Sequence, residues 1–256
     1  MVRVMCTLAI YVRSLPGFPL VIAANRDEFL DREATGPELL VHAPRVVGGR
    51  DLRAGGTWLA ISERGAVAGL LNRRTEALPI ASKRSRGELP LLALAAASAA
   101  AGESVIGSRD GAAYNAFNLL VADRERAWVA QNHDAEMRIT ALDRGLHLIS
   151  NLDVDDPTCP KIARSHVRFA AAGDAFAADR DLQRFRVALH AILADHTLTL
   201  DPRLPDALGA LCVHAGRFGT RCSSLLFLDD QNHWHHWFAS GAPCTHTFEP
   251  APTPEE

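Results

Sequence analysis

Several polar residues of the chain stand where apolar segments begin or end, at positions that a packed core does not require. They are Cys6, the run Asn25-Arg26-Asp27-Glu28, Asn72, Asn151 and Arg221. A thiol is the most nucleophilic side chain, and amides, guanidiniums and carboxylates can orient or stabilise what it attacks. Where such segments are strands whose ends meet at one edge, we predict a site there. Taken singly, each Asn is equally well explained as a turn former or strand cap.

The segments that carry these residues have the pattern of β-hairpins. Pro16-Gly17 and Glu63-Arg64-Gly65 are turn signals between short apolar, partly β-branched runs. The predicted hairpins pair Cys6–Val12 with Pro19–Ala24, and Thr57–Ser62 with Ala66–Leu71. The far strand of the second hairpin then ends at Asn72.

Later segments predict helices and further strands. Helices are expected over Gly87–Ala101, Cys159–Ala175 and Asp181–His196, and strands over Phe117–Ala122, Ala127–Gln131, Arg138–Leu142, Leu146–Ser150, Ser223–Leu228 and His233–Ala239. The four strands before the second helix are expected to form one antiparallel meander. Hairpins rather than βαβ units indicate an α+β fold with antiparallel sheets. We expect a single domain over 1–256, with a flexible Pro- and Glu-rich tail at 250–256.

Composition narrows the class of protein. The chain has 256 residues, 48% of them hydrophobic, and a formal net charge of −3, so we expect a globular protein without a nucleic-acid partner. Five Cys without a CxxC pair indicate a reduced, cytoplasmic protein with no metal site. The apolar run after Arg3 resembles a signal peptide, but a folded hairpin explains the same pattern. No stretch has the roughly 18 apolar residues of a membrane span.

A set of short motifs then identifies a family resemblance. The motifs are Met5-Cys6-Thr7-Leu8, Ala23-Ala24-Asn25-Arg26-Asp27-Glu28-Phe29, Ala54-Gly55-Gly56-Thr57-Trp58-Leu59, Ser85-Arg86-Gly87-Glu88-Leu89, Tyr114-Asn115-Ala116-Phe117-Asn118-Leu119 and Gly219-Thr220-Arg221. In this order they resemble the NRDE family, that of the transport and Golgi organisation protein, from Met5 to about Phe248. The eukaryotic members of that family are linked to secretion and Golgi organisation, lipid metabolism and haem handling. The resemblance implies substrate-binding roles for Asn25, Glu28, Trp58 and Asn118.

A more distant resemblance implies a mechanism. The pattern of Cys, hairpin turn, Asn and late Arg is similar to that of bile salt hydrolases and penicillin V acylases, which are N-terminal nucleophile hydrolases. The corresponding catalytic positions are Cys6, Arg26, Asp27, Asn72, Asn151 and Arg221. The Arg and Asp of that group lie three residues apart, so Asn25 and Glu28 could hold those places instead. The resemblance implies a four-layer αββα sandwich.

These roles are chemically consistent. A free α-amino group titrates near pH 8 and can accept the proton of an amino-terminal thiol. Arg26 would favour the thiolate, and Asp27 would orient the ammonium. Asn72 and Asn151 would donate to the oxyanion, and Arg221 would hold the Cys site or a substrate carboxylate. The competing interpretation is that Cys6 is an ordinary buried strand residue.

The amino terminus departs from this pattern. Residues 1–4 precede Met5, and while they are attached Cys6 has no free amine. We expect either that translation starts at Met5, which is then removed, or that processing cuts after Met5. Without one of these events the hydrolase loses its base.

Two other groups of residues attract attention. Alternation would place His233, His235 and Trp237 on one strand face, which suits a metal or haem, yet no acidic or Cys partner has metal-ligand spacing nearby. We therefore favour a solvated edge strand with aromatic packing. The pairs Gly48-Gly49 and Gly55-Gly56 are interpreted as turns rather than a phosphate cradle.

These observations lead to two functional hypotheses. The first is a cytoplasmic Cys-nucleophile hydrolase without a cofactor, acting on a non-peptide amide or thioester of a small metabolite. The second is a non-catalytic binding or trafficking protein for haem or an acyl lipid. The sequence identifies neither the substrate nor the oligomeric state.

Overall fold

A computed structural model of the chain describes residues 6–75, 78–133, 136–201 and 208–255. The predicted leader at 1–4 therefore lies outside the described residues. The chain divides into two compact units, each made from separate stretches. The first unit takes the residues up to 31 together with 144–230 and 235–251, and the second takes 32–143, 231–234 and the residues from 252 onward.

Fourteen strands and four helices are found in the described residues. The strands are β1 (Thr7–Leu15), β2 (Phe18–Phe29), β3 (Ala34–His42), β4 (Arg45–Asp51), β5 (Leu59–Ser62), β6 (Val67–Asn72), β7 (Phe117–Ala122), β8 (Ala127–His133), β9 (Glu136–Ala141), β10 (Gly145–Ile149), β11 (His214–Ala215), β12 (Phe218–Leu228), β13 (Trp234–Ala239) and β14 (Glu249–Pro250). The helices are α1 (Glu88–Ala95), α2 (Ala99–Gly107), α3 (Pro160–Asp179) and α4 (Leu182–Leu193).

The first unit is an antiparallel sheet in the order β10-β1-β2-β12-β13-β14, with β11 paired to β12. The predicted β1–β2 hairpin is confirmed, and Gly17 turns it with a φ of +82° that favours glycine. Helices α3 and α4 cover one face of the sheet. There Tyr11 and Phe169 share a core with Phe185, and the Tyr11 hydroxyl donates to the Phe169 carbonyl at 2.6 Å.

Local sequence explains why α3 and α4 form as predicted. Pro160 occupies the first turn of α3, where its missing N–H costs no hydrogen bond, and Arg180 ends that helix in the left-handed conformation. Asp181 then caps α4 by accepting from the Arg184 N–H. The apolar residues of α4 recur at helical spacing and face the core.

The second unit is an antiparallel sheet in which β3 to β9 follow one another in chain order, with α1 and α2 packed on it. The predicted β5–β6 hairpin is confirmed. The helix expected over Gly87–Ala101 is instead two helices, because the backbone becomes extended at Ala96 and Ser98 caps α2 by accepting from the Ala101 N–H.

Three further differences concern strands. Strands β3 and β4 were not predicted, and Gly48-Gly49 lies inside β4 rather than in a turn. The absence of a side chain at these glycines lets the neighbouring strand lie close, because a Cβ on Gly48 would lie 2.5 Å from the Leu59 carbonyl oxygen. β10 does not continue the meander but pairs with β1 in the other sheet. Gly55 does form a turn, with φ of +75°.

The carboxyl-terminal segment is packed through residue 255. β14 pairs with Trp237 and Phe238, Thr253 is buried, and Glu255 accepts from the Trp234 N–H at 3.3 Å. All five Cys are free thiols. Among the described residues, no helix combines the length and the apolar content needed to cross a membrane.

The close contact at Gly48 gives a test of the second sheet. We expect Gly48→Ala to lower the free energy of unfolding by about 1–3 kcal/mol, because the added methyl must push against strand backbone. Gly107→Ala is the matched control: its Cβ would lie 3.4 Å from Ile139 in ordinary contact, and Ala favours the helix by up to about 1 kcal/mol. Urea unfolding measures both, and equal effects would contradict the packing at Gly48.

Candidate active site

The predicted nucleophile and the Asn25–Glu28 run meet at one end of the first sheet. Thr7 pairs with Asn25, so Cys6 enters β1 beside the last part of β2. β2 continues through Phe29, and Asn25–Glu28 therefore lies within the strand rather than after it, which corrects the sequence interpretation. On the other side, Thr220 of β12 pairs with Asp27.

Because side chains alternate along a strand, successive residues of Asn25–Glu28 lie on opposite faces of the sheet. Asn25 and Asp27 lie on the face covered by α3 and α4, where the Asn25 amide donates to the carbonyls of Leu193 and Leu211, each at 2.9 Å. The Ser223 hydroxyl donates to the side-chain amide oxygen (Oδ1) of Asn25 at 2.6 Å. Both N–H groups of the Asn25 amide therefore hold backbone segments together, and its contact with a substrate stays a prediction.

The Cys6 thiol lies against the Asp27 backbone. Its sulfur accepts from the Asp27 N–H at 3.4 Å and is the same distance from the Asp27 carbonyl oxygen. Burial, followed by the Asp27 charge, raises the pKa of the thiol to about 12, while Arg26 lowers it. The effect of Arg26 has the predicted sign, but burial outweighs it, so Cys6 is a neutral thiol at pH 7 in this arrangement.

Asp27 is a buried carboxyl whose two oxygens differ in their hydrogen bonding. Its Oδ1 accepts from the Thr220 hydroxyl at 2.6 Å, whereas Oδ2 has no hydrogen-bond partner among the described residues. Burial raises the pKa of Asp27 to about 7, against the opposing effects of Lys161 and the Thr220 hydrogen bond. The unfilled acceptor of Asp27 is suited to a cationic or protonated partner.

Lys161 is the functional candidate that sequence reasoning missed. It sits in the first turn of α3, is 1% exposed, and has a pKa lowered by burial. Its charge interacts with Asp27 and Cys6. A Lys next to the Pro160 helix start gives no sign of burial in the sequence; the only available signal was that it falls on the apolar side of α3.

Two other predicted residues lie at the same end of this sheet. Leu8 pairs with Ile149, and Cys6 and Asn151 each lie two residues beyond that pair in the same direction. Asn151 is buried. Arg221 occupies an irregularity of β12 between Thr220 and Cys222, and its guanidinium donates to the Leu30 carbonyl at 2.6 Å.

The remaining predicted residues belong to the second unit. Asn72 ends β6 and pairs with Phe117, beside the Leu71–Asn118 pair. The side-chain amide oxygen (Oδ1) of the buried Asn118 accepts from Gln131 at 3.0 Å and from Arg73 at 3.3 Å. Trp58 packs its ring over Gly49, where a Cβ would come within 2.1 Å. The convergence of these three with Cys6 stays a prediction.

The histidine-rich strand is held by packing. His235 Nε2 lies 2.9 Å from Asp229, and its ring stacks on Trp237 at 6.3 Å between centroids, so both occupy one face as alternation predicts. The Arg186 guanidinium covers the other ring of the pair, 3.9 Å from the Trp237 centroid. These contacts agree with the aromatic packing expected for this strand, but the strand is not an edge, because β13 lies between β12 and β14 in the sheet.

Comparison with known proteins yields one family and several relatives. The family model described as Transport and Golgi organisation 2 matches residues 5–237. The Transport and Golgi organization protein 2 homolog of Bos taurus is 30% identical over 237 residues, which cover 84% of each chain. The human homolog is 27% identical over 235 residues, again 84% of each chain.

Solved structures show the same fold at low identity. Penicillin V acylase from Agrobacterium tumefaciens matches with a TM-score of 0.58 and 12% identity, over 92% of this chain and 83% of that one. A conjugated bile acid hydrolase from Clostridium perfringens gives 0.54 and 10%, over 97% of both chains. A Caenorhabditis elegans N-acylethanolamine-hydrolyzing acid amidase ortholog gives 0.53 and 11%, over 86% and 92%. The expected α+β, N-terminal nucleophile hydrolase-like fold is confirmed.

Burial of Asp27 predicts a pH-dependent stability. Between about pH 4 and pH 7 the native chain keeps a proton on Asp27 that the unfolded chain releases, so the free energy of unfolding falls as pH rises. We expect Asp27→Asn to reduce this fall, so that the variant gains stability relative to the parent as pH approaches 7.

Urea unfolding from pH 4 to 8 measures the effect. The charged or titratable groups that act on Asp27 or are acted on by it are Cys6, Arg26, Glu28, Lys161, Cys212 and Cys222. Asp31→Asn, at an exposed ion pair with Arg217, is the control and should leave the slope unchanged. An identical slope for Asp27→Asn and the parent would contradict the raised pKa.

Proposed function

The chain belongs to the Transport and Golgi organisation 2 family and has an N-terminal nucleophile hydrolase fold, and from this premise we propose that it is a Cys-nucleophile hydrolase of acyl amides or thioesters. The observation that carries the proposal is the contact of the Cys6 thiol with Asp27, whose second carboxylate oxygen is buried and accepts no hydrogen bond from the described residues. An ammonium is the natural occupant of that position.

The proposed reaction begins with a proton transfer. Once Cys6 is the first residue, its α-amine takes the thiol proton as the sulfur attacks the substrate carbonyl. We propose that the resulting ammonium binds the Asp27 carboxylate, and Lys161 and Thr220 both favour the ionised form of that carboxylate. The carbonyl oxygen becomes an oxyanion, for which Asn72 and Asn151 are the proposed donors.

The second half returns the proton. The ammonium donates it to the departing amine or thiol, leaving the acyl group on Cys6 as a thioester. The α-amine then takes a proton from water, whose oxygen attacks the thioester, and the acid leaves as the thiol is restored. No cofactor enters either half. Arg26 supports the thiolate character of the sulfur in the attack.

The named neighbours indicate a class of substrate. Penicillin V and N-acylethanolamines both contain an acyl–nitrogen bond outside a peptide, and these are the compounds in the neighbours' names. We therefore propose a small acylated metabolite, with Arg221 available for a carboxylate. A cytoplasmic location remains our prediction and accords with five free thiols.

A second candidate function has its own supporting observation. The second unit has a cavity of about 340 Å³ lined by four cationic side chains, Arg73, Arg74, Lys83 and Arg86. Haem and acyl lipids both carry anionic groups that such a cavity would attract. A binding or trafficking protein could use this cavity without any turnover at Cys6.

Reactivity of Cys6 distinguishes the leader-bearing from the processed chain. We expect slow iodoacetamide labelling of Cys6 while residues 1–5 are attached, because burial holds its pKa near 12. A chain released by a protease that cuts directly before Cys6 should label much faster, since the adjacent ammonium favours the thiolate. Met5→Leu in the leader-bearing chain prevents a start at Met5.

Peptide mapping by mass spectrometry provides the measurement. Cys222 is the internal control, because burial also raises its pKa to about 12 and the leader should not affect it. Equal labelling of Cys6 with and without the leader would contradict the proposed role of the amine. The mass of the native protein also reports directly whether Cys6 is its first residue.

Turnover tests the proposal directly. We expect the processed chain to hydrolyse at least one member of a panel of phenoxyacetyl amides, N-acylethanolamines, N-acyl amino acids and acyl thioesters. Cys6→Ser should reduce the rate by orders of magnitude with the fold retained, because a hydroxyl is far less ionised than a thiol. The leader-bearing Met5→Leu chain should also fail.

The control and the contrary outcomes are distinct. Cys159→Ala, in the core beside α3, should keep the activity of the processed chain. Hydrolysis that survives both Cys6→Ser and the retained leader would place the chemistry elsewhere. Absence of turnover with saturable binding of haem or an acyl lipid, lost in Arg74→Ala, would favour the binding protein.

A further inference from the structure

A cluster of thiols and imidazoles lies in the first unit and takes no part in the proposed reaction. His196, Cys212, His214 and Cys244 present one ligand atom each, and these four atoms all lie within 4.8 Å of one another. The two sulfurs are 3.6 Å apart, and His214 Nε2 is 3.3 Å from Cys244 Sγ and 3.7 Å from Cys212 Sγ.

The three separations among Cys212, His214 and Cys244 match those of a tetrahedral zinc site, and the ligand atom of His196 lies within 4.8 Å of the other three. With Zn–S of about 2.3 Å and Zn–N of about 2.0–2.1 Å, a regular tetrahedron separates two sulfurs by about 3.8 Å and sulfur from nitrogen by about 3.5 Å. The Cys212–Cys244 separation and both separations from His214 agree with those values to within about 0.2 Å. We propose that His196, Cys212, His214 and Cys244 bind one structural Zn²⁺.

The charges of the four ligands suit zinc. Two thiolates neutralise the ion and two neutral imidazoles complete its coordination, so binding releases two thiol protons and leaves an uncharged centre. Four protein ligands fill a tetrahedral site and leave no position for a substrate or water. An S₂N₂ set of soft and borderline ligands is diagnostic of zinc rather than of calcium or magnesium, which prefer oxygen.

Backbone hydrogen bonds hold the ligand-bearing segments. The Cys212 N–H donates to the Asp195 carbonyl at 3.0 Å, which fixes the residue next to His196. His196 Nδ1 lies 3.1 Å from the Cys212 carbonyl oxygen, and donation there leaves Nε2 with its lone pair, a usual arrangement for a metal-binding imidazole.

The fourth ligand is positioned by α4. His190 of that helix bonds the Pro243 carbonyl at 2.7 Å, directly before Cys244. At the first ligand, Asp195 directly precedes His196, and its carboxylate forms an ion pair with Arg168 of α3 at 2.7 Å. The cluster therefore joins three separate parts of the chain: the segment after α4, the segment leading into β12 and the loop after β13.

The proposed ion would also support the Cys6 end of the sheet. Leu193 and Leu211, whose carbonyls accept from Asn25, lie three residues before His196 and one before Cys212. Fixing these segments fixes the acceptors of Asn25 and therefore this part of β2. Loss of zinc should then lower the stability of the first unit.

Metal analysis of the untagged, reduced chain tests the proposal. We expect about one zinc per chain by mass spectrometry of the metal, and Co²⁺ in its place should give the visible bands of tetrahedral cobalt with sulfur-to-metal charge transfer. Cys244→Ser and His214→Ala change exposed side chains, so both variants should fold. Each should retain at most about one tenth of the zinc that the parent retains. Chelation should lower the thermal midpoint of the parent and not that of Cys244→Ser.

Matched controls and contrary results complete the test. His42→Ala, exposed in the second unit, and Cys159→Ala should keep the full zinc content. Full zinc content in Cys244→Ser, or no uptake by the reduced parent at micromolar free zinc, would overturn the proposal. A Cys212–Cys244 disulfide that takes up no zinc after reduction would overturn it as well.

Discussion

Burial of the Asp27 carboxyl is the constraint on which this end of the molecule depends. A carboxylate taken out of water must be compensated by charge or hydrogen bonds, or must take up a proton. Thr220 supplies a hydrogen bond and Lys161 a positive charge, and burial still raises the pKa to about 7. The pairing of β2 with β12 and the start of α3 against the sheet are both needed to provide these two partners.

The same burial sets the state of the nucleophile. The sulfur of Cys6 touches the backbone of the residue whose carboxylate disfavours its ionisation, so charge on Asp27 and charge on Cys6 compete. A cation placed between them relieves both. Lys161 already acts on both groups in this way, and the α-amine of an amino-terminal Cys6 would add a second positive charge next to the thiol. The proposed hydrolase therefore depends on the amino terminus of the chain.

Local patterns predicted what local physics determines. The β1–β2 hairpin, α3 and α4 follow from turn residues, caps and apolar spacing. The pairing of β10 with β1 did not follow, because partner choice between strands is set by contacts distant in sequence. Likewise Cys6 and Asp27 could be identified from motifs. Lys161 could not, because a Lys is ordinarily exposed and its burial results from how α3 packs.

The cluster of His196, Cys212, His214 and Cys244 also could not be predicted from sequence patterns. Its proposed ligands are spread from position 196 to position 244, and among them only Cys212 and His214 are closely spaced. No sequence motif therefore indicates the cluster. A rule that requires closely spaced Cys cannot detect such a cluster, because it tests separation along the chain, whereas coordination depends on separation in space.

With residues 1–5 attached, the pKa of the Cys6 thiol is about 12, and this value shows what the proposed base must overcome. At pH 7 roughly one such thiol in 10⁵ is ionised, so a reaction that waits for free thiolate would be slow. Proton transfer must therefore accompany attack on the carbonyl, which requires the base within hydrogen-bond reach of the sulfur. The α-amine of an amino-terminal cysteine meets this requirement by covalent connection alone. In the leader-bearing chain that nitrogen belongs to an amide and cannot act as the base. Burial then keeps the Cys6 thiol protonated, and the nucleophile is inactive.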